Sequence, residues 1–153
     1  MMSNKQILLK KPLQKKKIKI QCLSHKDELE RLRHIYFGET NTLIEKELQK
    51  KINGYIQQDK RKEFNINEVI NKEELIEKLI ISKLKCYYCK NCMKITTNDK
   101  RDGEQWTLDR IDNSQGHKNN NVVISCLDCN LKRRCQDHKK FIFTKQLNLV
   151  KKV

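Results

Sequence analysis

The chain has 153 residues and a net charge of +15, with 37% hydrophobic, 35% charged and 6% aromatic residues. That length suits one small domain with helical additions, and so few apolar residues limit the core it can bury. No apolar run reaches the roughly eighteen residues of a membrane span and none of signal length follows Met1, so we expect a soluble chain with no membrane partner.

Seven cysteines, an odd number, argue against a disulfide scaffold and for a reducing intracellular compartment, cytoplasm or nucleus. The charge is uneven. Residues 1–20 carry seven Lys and no acid, and residues 131–153 carry eight Lys or Arg against Asp137, so each end holds +7 and residues 21–130 hold +1. A polyanion is the natural partner of such ends, because neutralised phosphates release counterions. Solvated lysine faces are the alternative.

Residues 1–20, with Pro12, lack apolar periodicity and are expected to form a basic disordered arm. Gripping phosphates, aiding solubility and addressing a nucleus all suit it. A helical region over 21–84 follows. Its first helix begins at Ser24, capped with Asp27 three residues on, carries Leu29, Leu32, Ile35 and Tyr36 on one face, and ends near Gly38. The second aligns Leu48, Ile52, Tyr55 and Ile56 after Leu43 and Ile44, is marred by Gly54, and frays into the charged run 59–63, expected to be a solvated face or hinge. Asn71 with Glu74 caps a third helix bearing Leu75, Leu79 and Ile80 and running to about Lys83.

Cys86 and Cys89, with Cys126 and Cys129, make two C-x2-C hooks, the ligand set of a closed tetrahedral zinc site. Buried free cysteines are the alternative. Cys89 with Cys92 forms a further C-x2-C, and Cys135 with His138 a further pair whose helical spacing also suits ordinary surface residues. Cys22 has no partner pattern. Between the hooks, residues 105–108 alternate as a strand with Trp106 and Leu108 on one face and Thr107 and Asp109 on the other, so that Asp109 emerges at its end. Residues 111–116 are turn chemistry, Val122 to Ile124 read as the returning strand, and Cys126 to about Lys139 as a helix. Phe141, Ile142, Phe143, Leu147, Leu149 and Val150, in a C-terminal segment over 141–153, are expected to fold back as core.

From Cys86 to Lys132 this layout resembles the zinc-stapled HNH, or ββα-metal, endonucleases. The Asp-Arg-Ile-Asp-Asn stretch at 109–113 is similar to a variant branch found in phage and large-virus members. The resemblance implies an α+β fold: N-terminal helices, a treble-clef-like zinc-stabilised ββα module over 85–140, and a C-terminal helical segment. It prefers Cys86 and Cys89 as the first hook, because Tyr87 and Tyr88 match the family's aromatic knuckle. It implies that Asp109 and Asn130 hold a catalytic metal, that Asn121 braces the loop (Asn119 and Asn120 leave the register open), and that Arg110 stands where the general-base histidine usually does.

An Asp and an Asn oxygen are hard ligands suited to Mg²⁺ or Mn²⁺, distinct from the structural Zn²⁺. Arg110 stays protonated and is no ordinary base. Three readings remain open: Arg110 clamps phosphate while His117 in the loop takes the proton, a metal-bound hydroxide attacks, or the site has lost its chemistry. For His117 a surface loop histidine is the alternative. Arg110, Lys132, Arg133, Arg134, Lys139 and Lys140 are the candidate DNA contacts, against a merely solvated helix face.

The expected function is therefore metal-dependent hydrolysis of DNA phosphodiesters, with Asp109, Arg110, His117, Asn121 and Asn130 as the catalytic set. The alternative is a catalytically inactive zinc-stapled nucleic-acid-binding protein. A structural zinc module that recruits a protein leaves the basic ends unexplained. The N-terminal helices are candidates for a homodimer interface or for base reading.

Overall fold

The computed structural model describes residues 23–151, with side chains as far as 147; the expected arm over 1–20 and Cys22 lie outside the described residues. The first helix, α1 (His25–Tyr36), starts where the Ser24 hydroxyl accepts from the Asp27 amide at 3.2 Å and donates to the Asp27 carboxylate at 2.6 Å. Leu32 and Ile35 are buried, whereas Tyr36 is 56% exposed and leaves the face expected of it. Gly38, at φ +97°, takes the left-handed turn that ends the helix.

Helix α2 (Thr42–Arg61) is capped by Asn41 and buries Ile44, Leu48 and Ile52. The same stripe continues to Asp59, which is fully buried. This corrects the expectation of a solvated, fraying run: residues 48, 52, 55 and 59 recur at helical spacing, so Asp59 rotates inward with the leucine and isoleucines. Helix α3 (Lys72–Ile81) carries the full Asn71–Glu74 capping box and buries Leu75, Ile76 and Leu79. It packs against α1. Positive φ at Lys83 and Leu84 stops it, and His25 Nε2 lies 3.1 Å from both their carbonyl oxygens, so that nitrogen carries the donated proton.

Beyond α3, Lys85 bridges Cys92 and the chain between them folds into a tight knuckle, with the Cys86 amide donating to the Asn91 carbonyl and the Lys90 amide to the Cys86 carbonyl. Strand β1 (Trp106–Arg110) pairs antiparallel with β2 (Val122–Cys126), Trp106 opposite Cys126 and Arg110 opposite Val122. The outer edge of β1 is covered by α2. Tyr55 Oη accepts from the Leu108 amide at 2.9 Å, and Lys51 Nζ donates to the Trp106 carbonyl. An edge whose backbone groups are met by side chains presents no template to another strand.

Cys126 caps α4 (Leu127–Arg133), which stops at Arg134, φ +50°. A second helix, α5 (His138–Lys151), follows Asp137, whose carboxylate accepts from the Lys139 and Lys140 amides at 3.0 and 3.1 Å. The single helix expected from Cys126 to Lys139 is thus two. The apolar run after 141 is only partly core: Phe141 packs its ring 4.9 Å from that of Tyr88 and Ile142 is half-buried, but Phe143 is 60% and Leu147 46% exposed. Consecutive helical residues point around the whole cylinder, and α5 has one packed side. Leu149 and Val150 fall beyond the described side chains.

Five helices and a two-stranded sheet among the described residues make the fold α+β. One continuous core runs from Leu32, Leu48 and Leu79 through Tyr88 and Met93 to Trp106 and Ile124, so the helices and the sheet module share their interior. No described helix is long and apolar enough to cross a membrane.

Candidate metal centre and adjoining cleft

The knuckle after α3 and the start of α4 bring Cys86, Cys89, Cys126 and Cys129 together, their sulfurs all within 4.8 Å of one another. A tetrahedron of 2.3 Å zinc–sulfur bonds has edges of about 3.8 Å, and Cys89 and Cys126 Sγ stand 3.9 Å apart. The Cys129 amide donates to Cys126 Sγ at 3.4 Å, the backbone bond that spreads thiolate charge in such hooks. The neighbouring Cys126 and Cys129 hold the Cys86 thiol far below its ordinary range. The Cys129 thiol is raised by its bonds to Cys126 and Cys86 and by burial. Four sulfurs packed this closely can ionise together only with a cation between them, so the cluster suits a divalent metal. Cys92 and Cys135 are exposed and stand outside this cluster.

On the other side of β1 lies an open cleft of about 380 Å³, lined among others by Asp109, Arg110, His117, Asn130 and Arg134. Four of the five expected catalytic residues therefore line one cleft. Asp109 is 5% exposed, and its Oδ2 accepts from Tyr88 Oη at 2.5 Å and Arg133 Nη1 at 2.8 Å. No described residue hydrogen-bonds its Oδ1. Burial and then the bond to Asp109 raise the Tyr88 phenol, keeping it a donor. Asn130 Nδ2 donates to Thr107 Oγ1 at 3.0 Å and to the Leu108 carbonyl at 3.3 Å, and no described residue hydrogen-bonds its amide oxygen. Carboxylate and amide each retain one oxygen beside the cleft, a donor set that fits a hard cation.

Arg133 departs from the expected role of a DNA contact. It is 3% exposed, and its guanidinium donates to Asp109, to the carbonyls of Arg110 and Ile111, and to Gln136 O at 2.9 Å. Burial works against its charge, but Asp109 and Tyr88 together outweigh it and the net shift is upward. Arg133 stitches α4 to the end of β1. Lys132, Arg134, Lys139 and Lys140 are exposed, as phosphate contacts need to be.

Asn121 is the loop brace. Its side chain accepts from the Asp112 amide at 2.9 Å and donates to the carbonyls of Asp112 and Gly116, both at 3.0 Å, while Asn119 and Asn120 are exposed. It lies behind the loop, not on the cleft wall. Arg110 Nη1 donates to the carbonyls of Asn113 and Gln115 at 3.3 and 3.2 Å and its guanidinium stands 5.8 Å from the Phe64 ring.

His117 is no surface histidine: it is 3% exposed and gripped by Asp59. Asp59 Oδ1 is 2.6 Å from His117 Nδ1, and Oδ2 accepts from the His117 amide at 2.7 Å. The Tyr55 ring lies 4.5 Å from the imidazole. Burial lowers the His117 pKa more than Asp59 raises it, with Arg110 and Lys62 adding to the lowering. Asp59 is the functional candidate that sequence reading missed; its place on the apolar stripe of α2 was the available signal.

No protein-family model matches the chain, and neither a curated protein nor a solved structure matches it.

Proposed function

We propose that this protein is a metal-dependent HNH-type endonuclease that hydrolyses DNA phosphodiester bonds. The observation that carries the reading is the shared cleft of Asp109 and Asn130, each with one uncommitted oxygen, backed by a four-cysteine cluster suited to a structural zinc ion. Asp109 and Asn130 would hold Mg²⁺ or Mn²⁺, which supplies positive charge against the phosphate as it gains electron density. Arg110 and Arg134 line the same cleft and would bind non-bridging phosphate oxygens, with Lys132, Lys139 and Lys140 extending the basic surface.

One observation favours a second reading, a catalytically inactive nucleic-acid-binding protein: Asp109 Oδ2 already has a resident cation in Arg133. The deciding experiment is nicking of supercoiled plasmid by zinc-loaded protein with Mg²⁺ or Mn²⁺, comparing wild type, Asp109→Ala and Asn130→Ala. Metal-dependent nicking lost in both variants while DNA binding persists supports the endonuclease. Salt-dependent binding by a wild type that never nicks supports the second reading.

A further inference from the structure

We propose that His117 is the proton acceptor of the hydrolytic step and that Asp59, reaching from α2, is the residue that positions it. The proposal rests on the endonuclease reading and deepens it.

Asp59 holds His117 at two points, the ring nitrogen Nδ1 at 2.6 Å and the backbone amide at 2.7 Å, so neither the ring plane nor the loop is free to turn. A carboxylate oxygen at that distance demands a proton on Nδ1, which leaves the lone pair of the neutral imidazole on Nε2. Among the described residues the His117 side chain hydrogen-bonds Asp59 alone, through Nδ1, and His117 lines the cleft that holds Asp109 and Asn130. The approach is built into the backbone too. A Cβ on Gly116 would lie 2.6 Å from Asp59 Oδ2, so only glycine admits the carboxylate there.

Arg110 cannot accept a proton, and its Nη1 is held by the Asn113 and Gln115 carbonyls, which turns the rest of its guanidinium to phosphate rather than to proton transfer. His117 fills the vacancy from the other end of the same loop. In the step, the attacking water gives its proton to Nε2 as its oxygen bonds to phosphorus, the ester P–O bond breaks, and the departing alkoxide takes a proton from solvent. The imidazolium then returns its proton to bulk water. The charged and titratable neighbours are Asp59, Tyr55 and Lys62 from α2, and Arg110 from β1. Lys118, next in the chain, is paired with Glu68 at 2.6 Å. Asp59 stabilises the imidazolium, whereas Arg110 and Lys62 oppose it, so the ring accepts a proton and readily releases it. Burial lowers its pKa and keeps it neutral, as a base must be, at neutral pH.

The test follows plasmid nicking from about pH 5 to about pH 9 with zinc-loaded full chain and Mg²⁺ or Mn²⁺, for wild type, His117→Ala, His117→Gln and Asp59→Asn. His117→Ala and His117→Gln should lower kcat about 10²–10⁴-fold, abolish the acid limb and leave DNA affinity unchanged, and imidazole should partly rescue the alanine variant. Asp59→Asn should cost roughly 10–100-fold and move the acid limb to lower pH. Nitrogen NMR of the wild type should find the proton on Nδ1, a readout that does not depend on any variant folding. The proposal is overturned if folded His117 variants nick within about threefold of wild type with the same acid limb, or if the proton sits on Nε2. In either case the endonuclease reading survives, whereas a wild type that never nicks overturns both.

Discussion

Arg133 Nη1 lies 2.8 Å from Asp109 Oδ2, with both side chains sealed at 2% and 6% exposure. A buried pair of this kind gains little over an apolar pair, yet breaking it strands a charge. Arg133→Met should therefore destabilise the fold by about 3–5 kcal/mol, on the order of 10 °C in Tm. Adding Asp109→Asn should recover much of that loss. Thermal melts of the single and double variants check it; a single variant that melts like wild type would show that Tyr88 alone satisfies the carboxylate.

With four sulfurs placed to hold one cation, metal removal should unfold the half of the chain built on them. A strong chelator, or Cys86→Ser or Cys126→Ser, should abolish near-ultraviolet ellipticity from Trp106 and Tyr88, both fully buried beside this centre. Cys92→Ser and Cys135→Ser, at exposed positions outside the cluster, should retain one bound zinc and wild-type melting. Metal analysis of the purified variants measures the difference. Full zinc in Cys86→Ser would contradict the ligand set.

The parts of this fold legible in the sequence are local. A cap needs residues three apart, and Ser24 and Asn71 act as their spacing predicts. The cysteine hooks and the brace at Asn121 likewise follow from short motifs. Three buried charges were not legible, because a charge in a basic or acidic run ordinarily faces water. Glu28 accepts from the amides of Ile95 and Thr96 and from the Thr96 hydroxyl, partners more than sixty residues away. Arg133 differs from Lys132 and Arg134 only by lying four residues after Cys129 on the inward face. Asp59 continues an apolar stripe. In each case helical phase held the signal, and residue type concealed it.

Lys51 offers a pH test of the α2–β1 contact. Its ammonium donates to the Trp106 carbonyl and lies 4.5 Å from the Trp106 ring, and burial depresses its pKa to about 8, more than Glu47 raises it. Between about 8 and 10.5 the unfolded chain binds the extra proton, so stability should rise with pH across that window, by at most about 3 kcal/mol. Tyr55, raised to about 12 chiefly by burial, reverses the trend above about pH 10. Urea titrations of the zinc-loaded protein at neutral and alkaline pH measure the rise. Lys51→Met should flatten it, and a rise that persists in this variant would assign it to other groups.

The exposed and buried members of the basic run should separate in DNA binding. Lys132, Lys139 and Lys140 are exposed at α4 and the start of α5, free to release counterions from phosphates, whereas Arg133 spends its donors inside the protein. Each of Lys132→Ala, Lys139→Ala and Lys140→Ala should reduce the slope of log K against log salt by about 0.9 for one lost phosphate contact, with stability changed by under about 0.5 kcal/mol. Fluorescence anisotropy with a duplex over a series of salt concentrations gives both affinity and slope. If all three substitutions leave the slope at its wild-type value, the duplex does not lie along this helix and the polyanion contact must be sought elsewhere on the chain.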